Sequence, residues 1–311
     1  MTIEYFNLKT NQIIESIPSE MKEDYAILVV EPTEEELSKL QEITTIPMSE
    51  LDDALEKTGT ARLEYLDELK WYKIVFRLPL SQDEITENLV LPMVIFLDEK
   101  RILEIFPRRY EIKKHKIIKH LLEKGTPFAL FIDSLQLLTE SNKSQLEYLE
   151  EKMQKAEEEI IKTIRPKSIL QIFQISKNSI HLDASLKGNL KVYNRLLQME
   201  IFKGKKDVVE KMLETKMILE EQVELMATYR ELLENSLDAY ASVISNNQNE
   251  LIKFLTTISL ILIFPTLIAS LYGMNVNLPL AGTPYSFWIV LAIMVVSTAL
   301  VFTFFKLRKW I

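Results

Sequence analysis

Leu271-Tyr272-Gly273-Met274-Asn275 separates two long apolar segments near the C-terminal end of the sequence. No charged residue occurs between Lys253 and Lys306. A helix needs about 20 apolar residues to cross a bilayer, and residues 254–271 and 285–305 each have about that length. We therefore predict two membrane-spanning helices joined by a short turn. The alternative is a buried helical hairpin in a soluble protein.

Basic residues predict the orientation of these spans. Lys253 precedes the first span, whereas the loop 276–284 between the spans carries no charge. Because basic residues favour the cytoplasmic side, both termini are expected in the cytoplasm of a cell-membrane protein surrounded by lipid. The N-terminal residues lack the basic and apolar regions of a signal peptide, which favours a cytoplasmic location for the large domain. Basic residues also follow the second span, at Lys306, Arg308 and Lys309.

Composition excludes several classes of function. The 311-residue chain has a formal net charge of −8, which argues against nucleic acid as a partner. It contains no cysteine, so disulfides, Cys-ligated zinc and thiol catalysis are excluded. None of the six glycines belongs to a phosphate-binding Gly-x-x-x-x-Gly-Lys-Ser/Thr loop, so no nucleotide is expected. His115, His120 and His181 form no recognisable metal-binding pattern, and we do not expect an enzyme.

Residues 1–125 are expected to form an α+β domain with a mixed sheet and flanking helices. Short β-branched and aromatic runs predict strands at 25–30, 71–78, 89–97 and 102–106. Residues 49–57 are expected to form a helix with Ser49 as its N-cap. Eight Lys or Arg residues lie between Lys100 and Lys119, either on a solvated helix face or in a binding patch.

The rest of the sequence is predicted to be helical. Residues 126–204 are expected to form a helical hairpin, with helices at 128–164 and 168–199 separated near Pro166. A third helix is expected to start near Lys205 and to continue to Gly273, over about 100 Å. Because one monomer cannot cover such a helix, copies of the chain are expected to pack together. The predicted segments are 205–250 as a stalk, 251–275 as the first span and filter, 276–284 as the outer loop, and 285–311 as the second span and basic tail.

A stripe of polar and small residues follows one face of this third helix. Steps of alternately four and three residues track a single helix face. A close helix–helix seam is one explanation of the stripe. The alternative is a cation path shared by several identical chains, which the carboxylate of Asp238 at one end favours. The stripe comprises Asp238, Ser242, Ser245, Asn249, Ile252, Thr256, Ser259, Ile263, Thr266, Ser270 and Gly273.

The sequence resembles the CorA family of divalent-cation transporters. The resemblance is carried by Tyr272-Gly273-Met274-Asn275 directly after the first of two terminal spans, by Leu237-Asp238-Ala239-Tyr240, and by the basic tail that ends at Trp310. It implies a homopentamer with a cytoplasmic funnel and a Mg²⁺ filter at Gly273, Met274 and Asn275. It also implies polar pore rings at Asn249 and Thr266, an acidic ring at Asp238, and a hydrophobic gate at Ile252, Leu255 and Ile263.

The resemblance further implies a regulatory Mg²⁺ site between subunits, formed by Asp53 and Glu214. The alternative is that both are solvated surface residues. The outer loop lacks the acidic residue that many relatives carry, so Co²⁺, Ni²⁺ or Zn²⁺ transport by the same fold stays open, although Met274 favours magnesium. A membrane-anchored coiled-coil scaffold without transport is the other alternative. No energy source is needed within the chain, because the membrane potential drives a divalent cation inward.

Overall fold

The computed structural model describes two compact units, Met1–Glu234 and Asn235–Ile311. The described residues are 3–17, 23–56, 59–79, 90–107, 125–162, 166–276, 278–279, 283–308 and 310. Most of the basic run between residues 100 and 119, together with His115 and His120, lies outside them. The interpretation of that run therefore stays a prediction.

The first unit is built on a seven-stranded sheet in the order β2-β1-β3-β7-β6-β5-β4. β3 and β7 run parallel, and the other neighbouring strands run antiparallel. The mixed sheet with flanking helices confirms the predicted fold class. The strands are β1 Ile3–Asn7, β2 Gln12–Ile14, β3 Tyr25–Val30, β4 Arg62–Leu66, β5 Trp71–Pro79, β6 Val90–Leu97 and β7 Arg101–Phe106.

The central strands are apolar on both sides because helices cover both faces of the sheet. On one face, Ile27 and Leu103 pair in register and join a core with Leu37 of helix α1, Glu34–Thr44. Strands that are buried on both faces read as continuous apolar runs rather than alternating ones. This explains why β3, β5, β6 and β7 could be predicted from the sequence.

The prediction of a helix starting at Ser49 is wrong in detail. Helix α2 spans Met48–Leu51, so Ser49 lies inside it, and Pro47 occupies the N-cap without a side-chain hydrogen bond. A 3-10 turn, Asp52–Ala54, follows at once. Pro47 starts the helix because its ring fixes φ and no intrahelical partner is needed for its missing N–H. One consequence is that Asp53 lies on a tight turn rather than within a longer helix.

Long helices make up the rest of the first unit. Helix α3 spans Pro127–Lys162 and α4 spans Pro166–Leu196, close to the predicted 128–164 and 168–199. A 3-10 turn, Glu200–Phe202, and Gly204 with a φ of +82° lead into helix α5, Lys206–Tyr272. The continuous helix that the sequence predicts from Lys205 to Gly273 is therefore present. Helix α6, Ser286–Leu307, completes the second unit.

Buried polar contacts fix the first part of α5 to its neighbours. Gln222 donates to the Thr139 carbonyl of α3 at 2.7 Å and accepts from Asn142 Nδ2 at 3.3 Å. Arg230 donates to Asp183 of α4 at 3.0 Å. Since buried amides need partners, these contacts set the axial position of α5 within the first unit.

Candidate functional site

One face of α5 is shielded within the second unit. Thr257 is fully buried, and Ile261, Pro265, Ile268 and Tyr272 are half-buried. Their spacing of three to four residues places them on one side of the helix. Helix α6 shows the matching pattern of half-buried or buried residues at Val290, Met294, Thr298, Val301 and Phe305. These two faces account for each other's burial, so we infer that the two apolar helices pack along them.

The polar stripe lies on the opposite side of α5. Thr266 is nine residues from Thr257, which is two and a half turns at 3.6 residues per turn. All eleven stripe residues from Asp238 to Gly273 are exposed in the protomer. The second apolar helix therefore does not cover the stripe, which is free to face water or another copy of the chain.

Three of the six hydroxyl groups on the stripe donate to the backbone of their own helix and so present acceptor oxygens. Ser242 donates to the Asp238 carbonyl at 3.0 Å, Ser259 to the Leu255 carbonyl at 2.9 Å, and Thr266 to the Leu262 carbonyl at 2.7 Å. Each hydroxyl proton is thus used by the helix itself, and the oxygen lone pairs remain available. Water molecules around a cation point their hydrogens outward, so such oxygens suit a hydrated cation.

Apolar residues on or beside the stripe are also uncovered in the protomer. Ile252, Leu255 and Ile263 have exposed fractions of 62%, 67% and 54%. Both apolar helices have the length and hydropathy to cross a membrane. Exposed apolar side chains that lie together in this way mark a surface that contacts lipid or other protein chains.

The Gly-Met-Asn segment follows directly after α5. The Gly273 N–H donates to the Ala269 carbonyl at 3.0 Å, and the Met274 N–H donates to the Leu271 carbonyl at 3.2 Å. A Cβ added to Gly273 would lie 3.4 Å from the Ala269 oxygen, which is ordinary contact. The protomer's own fold therefore does not require glycine here. Met274 and Asn275 are exposed at the end of the helix.

At the other end of the second unit, α6 closes with a cluster of aromatic and basic residues. The Trp310 ring lies 5.4 Å from the ring of the buried Phe305, and the Arg308 guanidinium lies 5.8 Å from the centre of the Phe304 ring. Lys306 is exposed. Lys309, the third basic residue of the predicted cytoplasmic tail, lies outside the described residues.

The two carboxylates of the expected regulatory site have different surroundings. Asp53 accepts from Arg62 of β4 and forms an ion pair with Lys73 of β5 at 2.6 Å. Glu214 is exposed on α5. No contact joins Asp53 to Glu214 within the described part of the protomer, and no three Asp, Glu or His side chains there converge on a metal position. The basic partners of Asp53 were not predicted, although a lysine within an apolar strand was a readable signal.

The first unit is a mixed α/β domain, and the long helix α5 ends in the first of two segments that are long and apolar enough to cross a membrane. This combination is typical of membrane proteins with a large extramembrane domain. Residues 27–307 match the family model described as CorA-like Mg²⁺ transporter protein. Because the match covers most of the sequence, the chain belongs to the CorA family.

Relatives support this assignment over the full length. The chain is 27% identical over 315 residues to the cobalt/magnesium transport protein CorA of Methanocaldococcus jannaschii, covering 97% of this chain and 98% of the relative. It is 24% identical over 241 residues to the protein of the same name from Thermotoga maritima, and this match covers 75% of this chain and 66% of the relative.

Solved structures show the same fold. The complete CorA magnesium transporter from Methanocaldococcus jannaschii matches with a TM-score of 0.84 at 24% identity, covering 100% of this chain and 99% of that structure. The full-length CmaX protein matches with a TM-score of 0.69 at 16% identity, and this match covers 100% of this chain and 97% of that structure.

Proposed function

We propose that the chain is a gated Mg²⁺ influx channel that works as a homopentamer, with both termini in the cytoplasm. The observation that carries the proposal is the position of the polar stripe, which is exposed and lies opposite the buried and half-buried face of α5. Two apolar helices cannot enclose a pore, so several copies must each contribute one stripe to a common axis. Asp238 lies at the cytoplasmic end of this path, and the Gly-Met-Asn segment lies at the outer end.

The filter is proposed to bind a hydrated ion. Mg²⁺ gives up its water reluctantly and is commonly bound through its hydration shell. A ring of Asn275 side chains accepts hydrogen bonds from that water, and the Gly273 carbonyls supply further acceptors. Deeper in the pore, Asn249 and Thr266 repeat the same chemistry. Co²⁺ is the first alternative ion, because two relatives are named cobalt/magnesium transport proteins; Ni²⁺ and Zn²⁺ are further alternatives.

A hydrophobic constriction is proposed as the gate. Ile252, Leu255 and Ile263 of neighbouring copies would narrow the axis between polar rings, and such a constriction closes a pore by dewetting. The membrane potential supplies the driving force. A divalent ion that crosses about 100 mV gains about 4.6 kcal/mol, which supports accumulation on the order of a thousandfold.

Regulation is proposed to act through Asp53 and Glu214 of adjacent subunits. Cytoplasmic Mg²⁺ that bridges the two carboxylates would stabilise the closed arrangement, and loss of the ion would release the subunits. A ligand shifts such an equilibrium only when it binds one state more tightly than the other. A site shared between subunits meets this requirement because its geometry changes when the subunits move.

Uptake into proteoliposomes tests the proposal. The purified full-length chain is reconstituted with an internal Mg²⁺ indicator, and an inside-negative potential is imposed. We expect uptake by the parent, and its loss in Asn275→Ala with the oligomer intact by size-exclusion chromatography. No uptake by the parent would remove the transport function. Equal uptake by parent and Asn275→Ala would remove the filter, and an intact oligomer without uptake would favour the scaffold alternative.

A further inference from the structure

The Asp53 carboxylate is engaged by two cations of its own protomer. Its Oδ2 atom accepts from the Arg62 guanidinium and lies 2.6 Å from Lys73 Nζ. Lys73 Nζ also lies 2.5 Å from Glu50 Oε2. In the protomer, a regulatory cation would therefore meet a carboxylate that is already paired.

The two cations differ in their freedom to move. The Lys73 side chain is 2% exposed and lies between two carboxylates, so removing it from them would leave an ammonium unpaired inside the protein. The Arg62 side chain is 28% exposed, and its Nε atom lies 3.1 Å from Glu64 Oε1. Arg62 thus has a second carboxylate within reach, on the same strand.

We propose that Arg62 competes with the regulatory cation for Asp53: it opposes the cation by occupying Asp53, and admits it by releasing Asp53 while it stays paired with Glu64. This inference rests on the proposed regulatory role of Asp53. When Mg²⁺ binds Asp53, Arg62 loses one ion pair and keeps the other, whereas Lys73 stays in place. The exchange sets the internal Mg²⁺ concentration at which the channel closes.

Substitutions of Arg62 and of Glu64 are expected to shift the inhibitory internal Mg²⁺ concentration in opposite directions. Arg62→Gln removes the competitor and is expected to lower the inhibitory internal Mg²⁺ concentration about two- to fivefold, the equivalent of one partly exposed ion pair. Glu64→Gln removes the alternative partner, holds Arg62 on Asp53, and raises that concentration. Lys100→Gln is the matched control, because Lys100 pairs with Glu23 at 2.6 Å elsewhere in the same unit; it leaves the inhibitory concentration unchanged.

The test is an internal Mg²⁺ titration of uptake by full-length chains in proteoliposomes, with Asp53→Asn and the double variant Arg62→Gln/Asp53→Asn included. We expect Asp53→Asn to raise the inhibitory concentration and the double variant to match it, because Arg62 acts through Asp53. If Asp53→Asn shows no shift, the regulatory role itself is wrong. Two results would contradict only the competition by Arg62. One is that Asp53→Asn shifts the inhibitory Mg²⁺ concentration and Arg62→Gln does not. The other is that Arg62→Gln causes the same shift in the Asp53→Asn background as in the parent.

Discussion

Thr257 and Thr266 use their hydroxyls identically but lie on opposite faces of α5. Each donates to the carbonyl oxygen four residues earlier, to Lys253 and Leu262 respectively, at 2.7 Å. Thr257 is fully buried, on the face that we infer packs on the second apolar helix, whereas Thr266 is exposed. The same residue type therefore serves packing on one face and, in our proposal, ion passage on the other.

Replacing the two threonines by valine separates these roles. Thr266→Val keeps the shape of the side chain but removes the acceptor oxygen from the stripe. We expect Mg²⁺ uptake to fall about two- to tenfold, the rate equivalent of one hydrogen bond. Thr257→Val is the matched control and is expected to keep parental uptake, because its hydroxyl donates to the Lys253 carbonyl of the same helix and lies off the stripe. Equal effects of the two variants in the liposome assay would contradict the assignment of the faces.

Gly273 is expected to be needed for ion uptake by the assembly and not for folding of the protomer. Since an added Cβ meets only ordinary contacts within the chain, Gly273→Ala should fold and assemble with parental thermal stability. If copies converge at the axis, the extra methyl groups crowd the filter. We then expect uptake to fall at least about fivefold, because an added methylene in a packed site costs about 1–3 kcal/mol.

Gly204→Ala provides the converse control. Gly204 has a φ of +82°, a conformation that costs an L-residue about 1–2 kcal/mol. This variant is expected to lower the unfolding temperature while the uptake rate of the folded protein stays parental. Parental uptake by Gly273→Ala would show that the glycine does not face a crowded axis.

Glu104 predicts a pH dependence of stability. It lies fully buried in β7, where burial and, to a smaller extent, the neighbouring Asp133 raise its pKa well above the ordinary value, against the opposing effect of a hydrogen bond from Ser134 at 2.7 Å. Its Oε1 atom has no hydrogen-bond partner among the described residues. The folded chain thus holds this proton to a higher pH than the unfolded chain, so this group's contribution to stability falls as pH rises above about 4.3.

Glu104→Gln should remove this dependence, because a neutral amide keeps the shape and accepts from Ser134. We expect the variant to be more stable than the parent at pH 8, with a smaller difference at pH 5, by thermal unfolding of the full-length chain in detergent. Glu42→Gln, on the exposed surface of α1, serves as the control. A difference that shrinks as pH rises would contradict the protonated state of Glu104.

Much of the fold could be predicted from residue pattern because burial on both sheet faces leaves a strong apolar signal. Residues 25–30 and 71–78 are examples, and the unbroken helix to Tyr272 followed from the lack of a stop signal. Strands β1, β2 and β4 were missed. They lie at the two ends of the sheet, where polar residues such as Glu64 face solvent and weaken the strand signal.

The candidate site could be predicted only where it follows helix periodicity. The stripe could be predicted from the sequence because its residues recur along one face of one helix. The pairing of Asp53 with Arg62 and Lys73 could not be predicted, because these two residues come from two strands that tertiary structure brings to the 3-10 turn. Sequence spacing carries no such information, and for the same reason the regulatory site and the number of subunits remain proposals.

Water access along α5 distinguishes a pore-lining stripe from a packing seam, and it can be measured with single cysteines because the sequence contains none of its own. Thr266→Cys and Ser270→Cys lie on the stripe, whereas Ile258→Cys and Phe264→Cys lie off it at exposed positions of the same helix. If the stripe lines a water-filled axis, a membrane-impermeant thiol reagent applied to the reconstituted protein labels the stripe positions and leaves the other two unlabelled. Labelling of Phe264→Cys but not of Thr266→Cys would place the stripe in a dry environment and contradict the proposed pore.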